Sequence, residues 1–298
     1  MTSPWYCPSG RMGPRSLPLA CACAAALVPI AWAYAWLTWK VASPFDVLVP
    51  VLTAYGVLGP LGVALCRRAM IRNPRRMGAI ALALGAWFWY VQWAAWAALA
   101  SHDAGMRPEA PVLATFAQLA VDPAAICERA WNAANHAVES LDGWRPGGAW
   151  LVAWAIECAL LLGVARRAGR LAADAVFCEQ SLSWATDIEL DCQFACIADE
   201  DAVRRLLETQ PQRFLSVLAP WSPTGPASFA QVTIHACRGT DCFVTLNNLH
   251  AMGGEDSQAF GVMPVLERLR LPQVDSRELA RQLTALGVSE PDTVEGRP

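Results

Sequence analysis

The sequence predicts a membrane α-helical protein with four transmembrane helices and a small cytosolic α+β domain with an antiparallel sheet. Three observations predict it. The 298 residues are 55% hydrophobic and only 16% charged, with a mean hydropathy of +0.29, whereas soluble domains carry about 25% charged residues. Four long runs are almost free of charge. The two halves also differ in kind. Residues 1–166 hold 12 basic and 8 acidic groups, net +4, and residues 167–298 hold 11 basic and 18 acidic, net −7. This composition excludes intrinsic disorder, and an overall charge of −3 gives no basis for a nucleic-acid partner.

A crossing helix needs about 20 apolar residues. Residues 17–39 and 47–66 supply two such runs without a charge, and 78–100 a third, with Gln92 its most polar member. Residues 148–165 form the fourth, interrupted by Glu157. Ala31-Trp32-Ala33 has the small-x-small pattern of a signal-peptide cleavage site, but the apolar run continues to Trp39, which favours a retained helix.

Arginines orient the spans. Arg11 and Arg15 precede the first. Arg67, Arg68, Arg72, Arg75 and Arg76 fill the loop between the second and third. Arg166, Arg167 and Arg170 follow the fourth. The positive-inside rule puts all three clusters in the cytoplasm. The expected organisation is a cytosolic tail at 1–16, a transmembrane domain at 17–170 with an extracytoplasmic loop at 101–147, a cytosolic domain at 171–287 and a flexible tail at 288–298. In the outer loop, Asp122 then Pro123 reads as an N-cap and first helical position. Ile126, Ala130, Ala133, Ala137 and Leu141 continue at helical spacing, so a helix is expected to lie on the membrane or cap the bundle.

Tryptophans recur at i, i+4, i+7: Trp32, Trp36 and Trp39, then Trp89, Trp93 and Trp96, with Trp150 and Trp154 opening the fourth span. The main reading is an interfacial belt, with helix packing for the deeper members. A pocket for a flat ligand is the sharper alternative. Glu157 is the buried acid to explain. An acid at mid-membrane costs about +2.5 to +3.5 kcal/mol, so it faces the bundle interior or a wet cavity. Gln92 lies at a depth where the two side chains could meet, which would clamp spans three and four. A proton relay or cation site is the functional alternative. No second buried acid, histidine or basic residue accompanies Glu157, which weighs against ion coupling.

In the last 130 residues, Leu190, Cys192, Phe194 and Cys196 alternate with polar neighbours and read as a strand. Asp199 caps a helix ending before Pro211. Residues 220–226 form a rigid connector. Val232, Ile234 and Ala236, then residues 242–249, form a hairpin. Residues 262–271 supply a third strand, with Pro264 marking an edge. Asp275-x-x-Glu278 starts a last helix closed by Gly287.

No phosphate-binding loop, dinucleotide fingerprint, metalloprotease motif or nucleophile elbow occurs. Eleven cysteines cannot all pair, and reduced thiols are expected throughout. Zinc is the one cofactor considered. Cys237 and Cys242 flank a tight turn, and Cys178 or Cys192 could complete a tetrahedral set.

Leu151-Val-Ala-Trp154-Ala-Ile-Glu157, Phe177-Cys178-Glu179-Gln180 and the Cys237 hairpin resemble a group of uncharacterised bacterial inner-membrane proteins, four-span with a cysteine-bearing cytosolic domain. The resemblance covers roughly the whole chain and implies no activity. Relatives in that group carry Cys-x-x-Cys where this chain has Cys178 and Ser181, which weakens the zinc reading. The function expected is a non-enzymatic multi-pass protein, with the bilayer around it and a protein partner for its cytosolic domain. Self-association into a homo-oligomer stays open. A small transporter or proton sensor using Glu157, and a membrane-tethered thiol or zinc module, are the alternatives.

Overall fold

In a computed structural model of the chain, residues 4–40, 48–103, 111–136, 147–222, 228–238, 241–251 and 260–289 are described. The chain divides into two compact units, one of residues 9–174 and one combining residues 1–8 with 175–298. The expected first tail is thus split: its first eight residues belong with the C-terminal unit.

The larger unit is helical. Its elements are α1 (Ser16–Lys40), α2 (Leu48–Thr53), a π-turn at Ala54–Leu58, α3 (Gly59–Ala69), α4 (Pro74–Asp103), α5 (Val112–Leu119), α6 (Pro123–His136) and α7 (Gly147–Asp174). Among the described residues, three stretches are long and apolar enough to cross a membrane: Ser16–Trp39, Leu48–Ala69 and Pro74–His102. They match the first three spans expected and suggest a membrane protein.

Small residues set how closely the helices approach. A Cβ built on Gly169 of α7 would lie 2.8 Å from Ala81 Cβ and 3.2 Å from the Met77 carbonyl of α4. On Gly62 of α3, it would lie 3.7 Å from the Gly169 amide nitrogen. Close backbone approach of this kind is how helices pack in lipid, where no hydrophobic force joins them. Tyr34 and Phe88 join α1 to α4 edge to face, 5.5 Å between ring centroids.

The α6 helix forms where Asp122 and Pro123 predict it, and the Asp122 carboxylate accepts the Ala125 N–H at 3.1 Å. Residues 137–146, including the Leu141 turn of the expected helix, lie outside the described residues. Helices α5 and α6 cap α4: Leu119 and Ile126 are buried with Trp93, Ala94, Ala97 and Ala98. The Arg129 guanidinium donates to Ser101 Oγ on α4, and the Tyr90 hydroxyl donates to the Ala120 carbonyl at 2.9 Å.

The C-terminal unit holds β1 (Phe177–Cys178), β2 (Ser183–Trp184), β3 (Thr186–Glu189), β4 (Cys192–Gln193), α8 (Glu200–Thr209), a 3-10 turn at Pro211–Val217, β5 (Phe229–Ala236), β6 (Cys242–Ala251), β7 (Phe260–Leu271), α9 (Ser276–Leu286) and β8 (Val288–Ser289). An antiparallel sheet of order β3-β5-β6-β7 is its frame. Two short pairs, β1–β2 and β4–β8, flank it. The alternation predicts the buried face: Val232, Ile234, Val244, Leu246, Leu266 and Leu269 pack with Leu207 of α8 and Leu279 and Leu283 of α9. Leu190, Cys192 and Phe194 are buried as their alternation predicts, but only Cys192–Gln193 joins a ladder, and Phe194 makes isolated bridges to Pro220 and Ala230. Both helix caps form: Asp199 accepts from Ala202 N–H, and Asp275 from Arg277 and Glu278 N–H.

The edge of β7 is lengthened by the N-terminus of the chain. Arg270 N–H donates to the Pro4 carbonyl at 2.7 Å and Tyr6 N–H to the Arg268 carbonyl at 3.0 Å, with Trp5 bridging Leu269. Residues 4–6 thus act as a short extra strand, supplying the backbone partners an edge lacks.

Candidate functional site

Three places hold the chemistry-bearing side chains. The first is Glu157, midway along α7. Its carboxylate accepts a 2.6 Å hydrogen bond from the phenol of Tyr34 on α1. Tyr34 is 5% exposed, so the bond is shielded. The expected partner, Gln92, is also buried, but its amide nitrogen has no hydrogen-bond partner among the described residues. The clamp therefore joins α1 to α7 instead of α4 to α7. A carboxylate already bonded to a phenol is a helix–helix tie, of the kind worth about 0.6 kcal/mol on average in membranes.

The tryptophans beside it pack inward. Trp93 meets Trp154 of α7 at 4.6 Å, Trp96 at 5.4 Å and Trp89 at 6.1 Å, and Trp96 meets Trp39 of α1 at 5.7 Å, all edge to face. Trp89 and Trp154 pack as expected of the deeper members, and Trp39, Trp93 and Trp96, read as belt, pack with them. They face one another because the i, i+4, i+7 stripe of α4 is the stripe its neighbours cover, and edge-to-face pairs add to burial. Of the stripes, Trp36 faces outward, 54% exposed, and Trp32 meets Phe116 of α5 edge to face at 5.2 Å. The side chain of Trp150 lies outside the described residues.

The second place is the cysteine set. Cys178 and Cys237 form a disulfide, their Cα atoms 5.7 Å apart. This overturns the expectation of reduced thiols throughout. The β1–β2 hairpin returns the chain so that Thr186 pairs Ala236, which brings Cys178 beside the residue after Ala236. With those sulfurs joined, Cys178, Cys192, Cys237 and Cys242 do not make a zinc ligand set here. Cys242 is fully buried in the sheet core, where burial pushes its thiol up to about 12. Burial likewise raises Cys192. Among the described residues, no group of three or more His, Cys, Asp or Glu could hold a metal ion.

The third place was not read from the sequence. On the other face of the sheet, His235 Nδ1 lies 2.5 Å from an Asp187 carboxylate oxygen and its Nε2 lies 2.9 Å from Thr245 Oγ1. Asp, His and hydroxyl in a row are also the parts of a hydrolase relay. Here the hydroxyl has another task. Thr245 sits at the irregularity between β6 and β7, and its Oγ1 accepts the Arg268 N–H at 3.3 Å. Arg268 has φ 57°, and the threonine satisfies the amide that this twist removes from the ladder. The three side chains read as a strap across β3, β5 and β6. The only signal for it in the sequence was two polar positions at period two in adjacent strands.

No protein-family model, curated protein or solved structure matches the chain, so any functional reading rests on these residues and their geometry.

Proposed function

We propose that the chain is a bacterial inner-membrane protein that crosses the bilayer four times. In this reading both ends are cytoplasmic, and the α+β unit docks a partner protein without performing catalysis. The observation that carries the topology is the strand formed by residues 4–6 on β7. A segment paired to the C-terminal unit lies on the same side of the membrane as that unit. The chain between them therefore crosses an even number of times. Three spans are given by length and apolarity, and α7 is the fourth: 28 residues, about 42 Å at about 1.5 Å per residue, with Glu157 its one charge across residues 148–165. The arginine clusters support an orientation with both ends inside.

Docking is supported by the far end of β7, where Phe260, Val262 and Met263 are 43%, 59% and 51% exposed. Exposed apolar side chains on an edge strand mark a surface that another chain covers. The acidic balance of this half suits a basic partner, with charge acting more on encounter than on affinity.

Cysteine labelling tests the topology. Cys127 and Cys7 are both free and exposed. A membrane-impermeant maleimide applied to intact cells is expected to label Cys127 and leave Cys7 unmodified until the cells are permeabilised. Labelling of both, or of Cys7 alone, overturns the arrangement.

A further inference from the structure

A groove of about 740 Å3 runs between α3 and α7 at the arginine-bearing end of the helical unit. Its walls are Gly59, Pro60, Val63 and Ala64 on one side and Val164, Ala168 and Leu171 on the other. Three arginines, Arg67, Arg68 and Arg167, line one end, and among the described residues no carboxylate lines it. The π-turn before it explains its shape. Gly59 N–H reaches back to the Ala54 carbonyl, and Pro60 follows with no N–H to give, so the chain widens where small residues leave room. Such π-turns recur at functional sites.

Depth matches the charge. Arg67 lies 19 positions after Leu48, and Arg167 lies 19 after Gly148. Each is a rise of about 28 Å at about 1.5 Å per residue, close to the hydrocarbon thickness of about 30 Å. Cations at that depth meet lipid phosphates, and the apolar walls beneath them meet acyl chain. Leu171 and Tyr55, which also line it, are 61% and 64% exposed. A second cavity of about 510 Å3 shares Arg167 and Leu171, but Asp174 lines it, so the groove, with no carboxylate among its described lining residues, is the better anion site.

We propose that this groove binds one anionic glycerophospholipid. Arg68 and Arg167 hold its phosphodiester, with Arg67 beside them, and one acyl chain lies against Pro60, Val63, Val164 and Ala168. Basic pockets between spans on the cytoplasmic side bind acidic headgroups in this way. The inference rests on the reading of α2–α3 and α7 as spans.

Native mass spectrometry of the full chain in detergent tests it, with phosphatidylglycerol and phosphatidylcholine of identical acyl chains as probes. Wild type is expected to retain one phosphatidylglycerol at a concentration about tenfold below that needed for phosphatidylcholine. Arg68→Gln with Arg167→Gln is expected to erase that preference, and Arg75→Gln with Arg76→Gln, outside the groove, to keep it. Ala64→Leu, which fills the groove and leaves the arginines, is expected to weaken both lipids. Equal retention of the two lipids overturns the proposal, as does a preference that survives the first double variant. Capture of inorganic phosphate with no lipid retained also overturns it. Alkaline carbonate washing of cell membranes separates the two readings: a chain released by the wash overturns the membrane reading itself, whereas a chain that stays embedded without lipid preference overturns the groove alone.

Discussion

The phenol of Tyr6 donates to the carbonyl of Ala175 at 3.1 Å, joining residues 169 positions apart. The same oxygen accepts the Phe177 N–H at 3.1 Å, and the ring packs edge to face on Phe243 at 5.4 Å. The phenol thus fastens the N-terminal residues to the C-terminal unit, beside the pairing of residues 4–6 with β7.

Tyr6→Phe keeps the ring and removes the hydroxyl. It leaves the Ala175 carbonyl and the Phe177 amide without that partner, a loss of about 1–3 kcal/mol for a buried group. The expected outcome is a lower thermal midpoint for the C-terminal unit in the full chain, and faster proteolysis at residues 1–8. An unchanged midpoint and cleavage rate would show that the strand on β7 holds the N-terminus without the phenol.

The Tyr34–Glu157 bond separates a tie from a relay. Glu157→Gln retains an acceptor for the Tyr34 phenol, so unfolding in detergent is expected to be almost unchanged. Tyr34→Phe removes the donor and is expected to cost about 1 kcal/mol, within the range for side-chain bonds between membrane helices. If Glu157→Gln leaves unfolding intact yet abolishes a cellular phenotype of the protein, the carboxylate acts by titrating and the tie reading fails.

Local signals explain what the sequence revealed. Apolar length marks the long helices that could cross a membrane, Asp-Pro and Asp-x-x-Glu mark the starts of α6 and α9, and period-two alternation marks β5 and β6. Pro264 marks β7 as an edge strand because proline cannot donate to a ladder. The unread features depend on partners far along the chain. Glu157 meets Tyr34 across 123 positions, Cys178 meets Cys237 across 59, and the strand at residues 4–6 has too few residues to show a period. The α5 helix, Val112–Leu119, also escaped notice, because Pro111 stands where a capping side chain would signal its start.

Glycine at 169 is required by the α4–α7 contact. Gly169→Ala brings a methyl to 2.8 Å from Ala81 Cβ and 3.2 Å from a backbone carbonyl, and neither atom is the free end of a flexible side chain. The helices must separate, so overpacking of about 1–3 kcal/mol is expected. Gly163 on the same helix has nothing within 4 Å of such a Cβ, and Gly163→Ala is expected to be neutral or mildly stabilising. Thermal unfolding of the two variants side by side measures the contrast. Equal behaviour would show that the contact relaxes without loss.

The disulfide makes a statement about compartment. The structure joins Cys178 to Cys237, whereas the proposed cytoplasmic placement would keep them reduced by glutathione and thioredoxin, so trapping the thiols of growing cells in acid and alkylating them tests that placement, which requires both to be found free. The disulfide closes a loop of about 60 residues and stabilises by about 4 kcal/mol in the chain-entropy picture. Cys178→Ser is expected to remove that increment under oxidising conditions and to change nothing under reducing ones. A pair already joined in growing cells would instead place this unit outside the cytoplasm and contradict the arginine orientation.

Acid sensitivity is expected at the start of α9. The Glu278 and Arg277 N–H groups hold the Asp275 carboxyl below its ordinary value, so the folded state prefers the carboxylate. Its contribution is complete above the unfolded value of about 3.9 and is lost as pH falls through the lower, folded value. Hydrogen exchange of residues 276–286 in the full chain, followed from neutral pH to below pH 4, is expected to show protection of this helix falling before that of β5 and β6, which carry no such cap. Asp275→Asn keeps an acceptor with no proton to take up, so the pH dependence is expected to flatten while the helix stays protected. Asp275→Ala removes the acceptor and is expected to fray the first turn at every pH. If the asparagine variant loses protection on the same pH course as wild type, another carboxylate controls this helix and the cap is not the sensor.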